Sequence, residues 1–449
     1  MADAPDIAAG RLGAAAYAAN FGDVEPPLDA KRALIESSRC LFCYDAPCIE
    51  ACPTGIDIPG FIRKIATGNV RGAATTILAE NIFGGACSRV CPTEVLCEQA
   101  CVRNLSEEKP VDIGALQRYA TDHLFAGKAQ PFARAAASGK RVAVVGGGPA
   151  GLACAHRLAM LGHAVSVFEA RDKLGGLNEY GVAAYKVAND FAQAEVDFIM
   201  GLGGIQAWPG AALGRDVTLT QLRKDYDAVF LGLGLAGVNA LQAEGEDMAG
   251  VEDAVAYIAR LRQARDQAML PVGRRIVVIG GGNTAIDIAV QTKRLGAEDV
   301  TIVYRRGAAQ MSATAHEQEF AQTNGVKIKH WARPTRVLGE GGHLRAAEFE
   351  YTRMDGGNLV GTGERFTLAA DMLFKAIGQT FLPDPLKNGA AQPLELKSGR
   401  IAVNDDRQTS LPGVYAGGDC VFGGQDLTVQ AVQDGKVAAH AIDRYLRGA

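Results

Sequence analysis

From residue 1 to about 135 the apolar positions recur at helical spacing, as in Pro59 to Ala66 and Val111 to Leu124, with no Val/Ile run long enough for a buried strand. This predicts a helical domain. Ala126 to Gly139, rich in Ala, Lys and Gly with one Pro, predicts an exposed linker that ends it. Beyond the linker the pattern changes. Arg141 to Val145 is a short β-branched run leading into Gly146-Gly147-Gly148-Pro149-Ala150-Gly151, a helical stretch to Leu161, and a second strand, Ala164 to Phe168, that ends at Glu169. The same order returns at Arg275 to Ile279, Gly280-Gly281-Gly282-Asn283-Thr284-Ala285, a helix to Leu295, and the strand Asp299 to Tyr304.

Two copies of one βαβ unit are therefore expected. Ala228 to Leu233 and Met372 to Ile377 read as further buried strands, and Val414-Tyr415-Ala416 precedes Gly417-Gly418-Asp419 near the end. The order predicts an α/β chain: an N-terminal α-helical domain over 1–135, then two Rossmann-like domains, the second inserted in the first. One spans 140–245 and 378–449. The other spans 246–377.

In a G-x-G-x-x-G turn the first glycine makes the bend, the second lets a pyrophosphate approach the backbone, and the third packs helix on strand. Gly146, Gly148 and Gly151 follow a predicted strand and open a predicted helix through Pro149 and Ala150, and Glu169 stands at the distance suited to a ribose hydroxyl. The second copy is Gly280, Gly282 and Ala285, with Asn283 and Thr284 between. It has no acidic residue after its second strand and carries Arg305 and Arg306 there. A guanidinium pair suits a 2′-phosphate, hence NADPH, although both arginines could equally be solvated or stack on adenine.

Composition adds exclusions. With 48% hydrophobic and 21% charged residues and a formal net charge of −4, the chain reads as a globular protein of about three domains without a global basic field for nucleic acid or anionic membrane. The alanine-rich N-terminus has no secretory h-region, and no run of 18 apolar residues occurs, so a cytoplasmic location is expected.

The cysteines are the most specific signal. Of ten, eight fall in two groups, C-x2-C-x4-C-x3-C-P from Cys40 through Cys43, Cys48 and Cys52, and C-x3-C-P-x4-C-x3-C from Cys87 through Cys91, Cys97 and Cys101. Four thiolates within thirteen residues followed by proline fit ferredoxin-type runs better than the paired spacing of zinc sites. Spacing does not say which cysteine serves which of two 4Fe–4S clusters. Downstream, Ile113, Leu116, Gln117, Ala120 and Leu124 share a helical face, so Gln117 puts an amide into an apolar stripe where it needs a partner.

Together, C-L-F-C-Y-D-A-P-C-I-E-A-C-P-T, C-S-R-V-C-P-T-E-V-L-C-E-Q-A-C, G-G-G-P-A-G-L and G-G-G-N-T-A-I-D resemble the NAD(P)H-oxidising half of dihydropyrimidine dehydrogenase, within a wider group holding the glutamate synthase small subunit and ferredoxin reductases. The resemblance covers nearly the whole chain. It implies FAD at the first fingerprint, with Glu169, Gly175, Gly176, Leu177, Gly418, Asp419 and Thr428 completing that site, and NAD(P)H, with NADH favoured, at the second. It implies one 4Fe–4S cluster on Cys40, Cys43, Cys48 and Cys101 and another on Cys52, Cys91, Cys97 and Gln117, with Cys87 a non-ligand. Asp287 matches an aspartate near the nicotinamide–flavin contact, and Lys186 a basic residue beside the flavin. The partner implied is an FMN-containing TIM-barrel subunit that reduces uracil and thymine, in an assembly of two plus two. A glutamate synthase small subunit, a ferredoxin–NAD(P) reductase and a zinc-binding redox module are the rival readings.

Overall fold

The computed structural model describes residues 6–388 and 393–448. Its major helices in chain order are α1 (Ala30–Ser38), α2 (Pro47–Glu50), α3 (Ile58–Ala66), α4 (Val70–Glu80), α5 (Gly84–Val90), α6 (Ile113–Ala126), α7 (Pro149–Met160), α8 (Phe191–Met200), α9 (Asn283–Arg294) and α10 (Thr428–Arg447). The major strands are β1 (Arg141–Val145), β2 (Ala164–Glu169), β3 (Ile205–Pro209), β4 (Ala228–Leu231), β5 (Val251–Asp253), β6 (Arg275–Ile279), β7 (Asp299–Tyr304), β8 (Lys327–His330), β9 (Ala332–Glu340), β10 (His343–Asp355), β11 (Asn358–Ala369), β12 (Met372–Lys375) and β13 (Val414–Ala416).

The chain divides into two compact units, one of residues 25–179, 190–236 and 381–449, the other of residues 1–24, 180–189 and 237–380. The first unit joins the helical region to a five-stranded parallel sheet of order β13-β4-β1-β2-β3. Its helices start where the sequence supplies caps. Asp29, Asp57, Asn69 and Asp112 each accept a main-chain N–H from the first turn of α1, α3, α4 and α6. The apolar stripe of α6 is buried throughout: Ile113, Leu116, Ala120 and Leu124 are each at most 2% exposed.

The second unit has a parallel sheet of order β8-β7-β6-β12-β5, with the fingerprint strand β6 in the middle as β1 is in the other sheet. An antiparallel meander, β9-β10-β11, lies between β8 and β12 in the chain. Hydrophobic runs do not reveal it, because much of its length is polar and half-buried or exposed on both faces.

Residues 6–24, expected with the helical domain, belong to this second unit. Ile7–Ala8 forms a two-residue strand antiparallel to Val272–Gly273, and buried Tyr17 donates its Oη–H to the Leu295 carbonyl at 3.4 Å. The stretch 126–139 is exposed in large part but pinned at its end. Ser138 Oγ lies 2.7 Å from His163 Nδ1, and the Nε2 of that ring lies 2.8 Å from Asp443.

Candidate functional site

β1 ends at Val145 and α7 begins at Pro149, so the chain reverses within three residues. Gly146 makes the bend at φ +103°, and a Cβ there would fall 2.1 Å from the Gly232 carbonyl oxygen. Gly151 is needed for closeness, because its Cβ would fall 1.9 Å from the Gly146 oxygen. Gly148 precedes α7 without a side-chain cap and Pro149 sits in the first turn, so the N–H groups of Ala150 and Gly151 are left to a ligand at the positive end of the helix. Glu169 stands beside this turn: its Oε2 accepts the Gly147 N–H at 2.7 Å and its Oε1 the Arg171 N–H at 2.8 Å.

The remaining residues of the first site converge on the same helix start. Gly175 donates its N–H to the Gly147 carbonyl at 2.8 Å, a Cβ on Gly176 would fall 2.6 Å from the Gly148 Cα, and exposed Leu177 follows. Gly418, at φ +76°, approaches Ala150, and its N–H donates to buried Asp434 at 2.9 Å. Burial pushes the neighbouring Asp419 carboxyl up to about 6, with Asp426 adding to the rise. Thr428 opens α10 and donates its Oγ–H to Asn178 Oδ1 at 3.0 Å. Sequence reading missed Asn178, which is 1% exposed with no hydrogen-bond partner on its Nδ2.

The second site repeats the bend. A Cβ on Gly280, at φ +148°, would fall 2.1 Å from the Ala376 oxygen, and Gly282 precedes α9 without a side-chain cap. Asn283 is exposed and Thr284 half-buried in the first turn, and Ala285 fills the third place with its methyl fully buried. Arg305 is exposed and Arg306 half-buried just past β7. The main-chain carbonyls of both residues accept hydrogen bonds, from Thr352 Oγ and Trp331 N–H, whereas the guanidinium groups have no ion pair among the described residues.

One turn into α9, Asp287 is buried rather than solvated. Its Oδ2 accepts the Ala183 N–H at 3.2 Å and its Oδ1 lies 2.9 Å from Lys186 Nζ. Lys186 also meets Glu317 Oε1 at 2.5 Å. Burial alone would lower the Lys186 pKa, but the two carboxylates outweigh it and hold the ammonium well above its ordinary value. Sequence reading missed Glu317, which also opens a helix: Thr314 Oγ accepts the Glu317 N–H at 3.3 Å.

The eight clustered cysteines fall into two neighbourhoods. Burial, then Cys40, Cys101 and Cys43, push the Cys48 thiol up to about 12. Cys91 is raised by its hydrogen bond to Cys87, by burial, and by Cys97 and Cys52. Cys40, Cys43, Cys48 and Cys101 line one cavity of about 30 Å³ together with Ile58, Ile62 and Val111. The loop that presents Cys43 and Cys48 winds through positive φ at Phe42 (+51°) and Ala46 (+21°), backbone that non-glycine residues rarely adopt. Gln117 is 8% exposed and its Nε2 donates to the Gly84 carbonyl at 2.7 Å, so the buried amide has its partner. Among the described residues no three Cys, His, Asp or Glu side chains converge on a single metal ion. The donor set fits iron–sulfur centres, in which each thiolate takes its own iron.

Two glycine-bent helix starts, one flanked by a carboxylate and the other by guanidinium groups, define an oxidoreductase of the flavin- and nicotinamide-binding class. Residues 139–435 match the pyridine nucleotide-disulphide oxidoreductase family, and residues 17–129 match dihydropyrimidine dehydrogenase domain II, 4Fe–4S cluster. The chain is 34% identical to the NAD-dependent dihydropyrimidine dehydrogenase subunit PreT of Salmonella typhimurium, over 95% of this chain and 97% of that one. It is also 34% identical to the glutamate synthase (NADPH) small chain of Escherichia coli, over 95% and 94%. The solved structure of Mycobacterium tuberculosis FprA in complex with NADPH shares the fold, at a TM-score of 0.57 and 20% identity, over 69% of this chain and 85% of that one. The chain belongs to the pyridine nucleotide-disulphide oxidoreductase family, in the group of PreT and related small subunits. It is an NAD(P)H-dependent flavin oxidoreductase with an N-terminal iron–sulfur-type domain. No helix among the described residues is long and apolar enough to cross a membrane.

Proposed function

We propose that this chain is the cytoplasmic electron-input subunit of a dihydropyrimidine dehydrogenase. In this reading it oxidises NAD(P)H and delivers electrons through two 4Fe–4S clusters to an FMN-containing TIM-barrel partner, two copies of each, which reduces uracil and thymine to 5,6-dihydropyrimidines. When bound, FAD supplies hydride acceptance and the clusters supply one-electron transfer. The chain's own residues supply the rest. The first turn of α7, with Glu169, Gly418 and Thr428, holds the flavin dinucleotide; the first turn of α9, with Arg305 and Arg306, holds the nicotinamide dinucleotide. Lys186 is kept charged by Asp287 and Glu317, so it can balance negative charge without losing its proton.

Gln117 carries the pyrimidine reading. Dihydropyrimidine dehydrogenase places a glutamine ligand at this point of the chain, and here the amide nitrogen is committed to Gly84, which leaves the oxygen free to coordinate iron. Cys52, Cys91 and Cys97 would complete that cluster, and Cys40, Cys43, Cys48 and Cys101 the other. NADH is taken as the electron donor from the NAD-dependent relatives; the arginine pair supports NADPH and gives that preference its own test. A glutamate synthase small subunit is the second reading, supported by equal identity.

Anaerobically purified, the chain should contain iron and acid-labile sulfide, oxidise NADH with an artificial acceptor, and leave uracil unchanged. Addition of the FMN partner should start uracil-dependent NADH oxidation. Uracil reduction without a partner would refute the division of labour, and glutamine-dependent turnover with a glutamate synthase large chain would replace it by the second reading.

A further inference from the structure

At the entry to α5, Gly84-Gly85-Ala86, four of the six polar main-chain atoms are held by side chains. Gln117 Nε2 donates to the Gly84 carbonyl at 2.7 Å, and Ser88 Oγ and Arg89 Nη1 donate to the Gly85 carbonyl at 2.7 and 2.9 Å. The N–H groups of Gly85 and Ala86 both donate to Glu195 Oε1, at 2.9 and 3.0 Å. Glu195 comes from α8 and is 0% exposed, and its Oε2 has no hydrogen-bond partner among the described residues. Gly85 is a glycine because this approach is close: a Cβ there would meet Phe191 at 2.5 Å, Phe125 at 2.8 Å and Glu195 Oε1 at 2.9 Å.

A helix start needs no distant, fully buried acid. A local Ser, Thr, Asn or Asp satisfies the same N–H groups, whereas a buried carboxyl with one bare oxygen costs stability. What is fixed here is the backbone between two functional elements. α5 carries Cys87 and ends at Cys91, and its first carbonyl orients Gln117.

We infer that Glu195 is a positioning residue for Gln117: by holding the Gly85 and Ala86 amides it fixes the Gly84 carbonyl, which anchors the Gln117 amide nitrogen and leaves its oxygen as the donor to iron. An amide free to rotate would present Nε2 half the time, and that nitrogen has no lone pair to give a metal. The inference rests on the reading of Gln117 as a cluster ligand and has its own test.

Glu195→Ala, Glu195→Gln and Gln117→Ala are purified anaerobically with their FAD and compared by iron and sulfide content and by low-temperature EPR after dithionite reduction. Glu195→Ala should perturb the same EPR component as Gln117→Ala while the other component and the FAD content stay at the wild-type level. Glu195→Gln keeps an acceptor oxygen and should restore the wild-type spectrum. A wild-type spectrum in Glu195→Ala beside an altered one in Gln117→Ala would overturn the inference alone, as would a Glu195→Gln spectrum as perturbed as that of Glu195→Ala. Silence in both Glu195→Ala and Gln117→Ala would overturn the reading of Gln117 itself. If Glu195→Ala does not fold, Glu195→Asp, one methylene shorter, should give the same perturbation, and an unchanged spectrum there counts against the inference.

Discussion

The two glycine-bent cradles share one backbone plan and differ in everything around it. Both place a central strand, a bend at positive φ and an uncapped helix start in the same order. Behind α7 the chain packs α10 so tightly that a Cβ on Gly435 would fall 2.2 Å from the Ala150 oxygen, whereas α9 is backed by the ion cluster of Asp287, Lys186 and Glu317. At the end of the second strand one cradle has a carboxylate tied to main-chain N–H groups, and the other is followed by two guanidinium groups without an ion pair among the described residues. Backbone geometry makes the two cradles alike; the residues at the end of the second strand and the support behind the helix make them different.

The largest expected effect breaks the support of the second cradle. Lys186→Met removes the ammonium between buried Asp287 and half-buried Glu317, and a cost of about 3–5 kcal/mol in chemical denaturation is expected, as for other broken buried ion clusters. A cost below about 1 kcal/mol would mean that solvent reaches the cluster. Gly151→Ala comes next. Its methyl must displace the Gly146 carbonyl, so stability should fall by about 1–3 kcal/mol and the purified protein should lose its bound flavin absorbance. Ala285→Gly at the matching place should keep the second cradle intact, with a loss of about 2 kcal/mol from helix propensity and one buried methyl.

Replacing Arg305 and Arg306 together by Ala sharpens the contrast at the ribose. If they read a 2′-phosphate, KM for NADPH should rise about tenfold, the equivalent of roughly 1.4 kcal/mol, with KM for NADH nearly constant. Equal changes for both nicotinamides would assign the pair to stacking or to solvent.

Apart from these substitutions stands a pH slope. Burial, offset by the Gly85 and Ala86 N–H groups and by Arg89, pushes the Glu195 carboxyl up to about 8 from 4.5. The folded chain therefore keeps a proton that the unfolded chain gives up above about 4.5. This group's contribution is complete below that pH and is lost as pH rises through about 8. Thermal melts should show stability declining across this window, with a shallower decline in Glu195→Gln; parallel slopes would mean that Glu195 does not titrate there.

Strand edges at Arg141–Val145, Arg275–Ile279 and Asp299–Tyr304 were legible in the sequence to the residue, because a β-branched run bounded by glycine or by charge is a local signal. The helical character of the cysteine region and the buried stripe around Gln117 were legible by periodicity. The meander β9-β10-β11 was not, since its polar strands carry no apolar run, nor was the place of residues 6–24, which depends on a two-residue strand and one buried tyrosine. Glu195 was not legible either, because its partners are main-chain N–H groups 109 and 110 positions away.

The sequence by itself determined where the cysteines gather, where the chain bends at its two glycine turns and which cradle carries the acid, since each of these needs only neighbouring residues. Tertiary structure alone decided that Lys186 lies between Asp287 and Glu317 and that Glu195 holds the backbone beside Gln117. Those contacts join residues more than a hundred positions apart, and a buried charge or amide finds its partner only when the whole chain has closed around it.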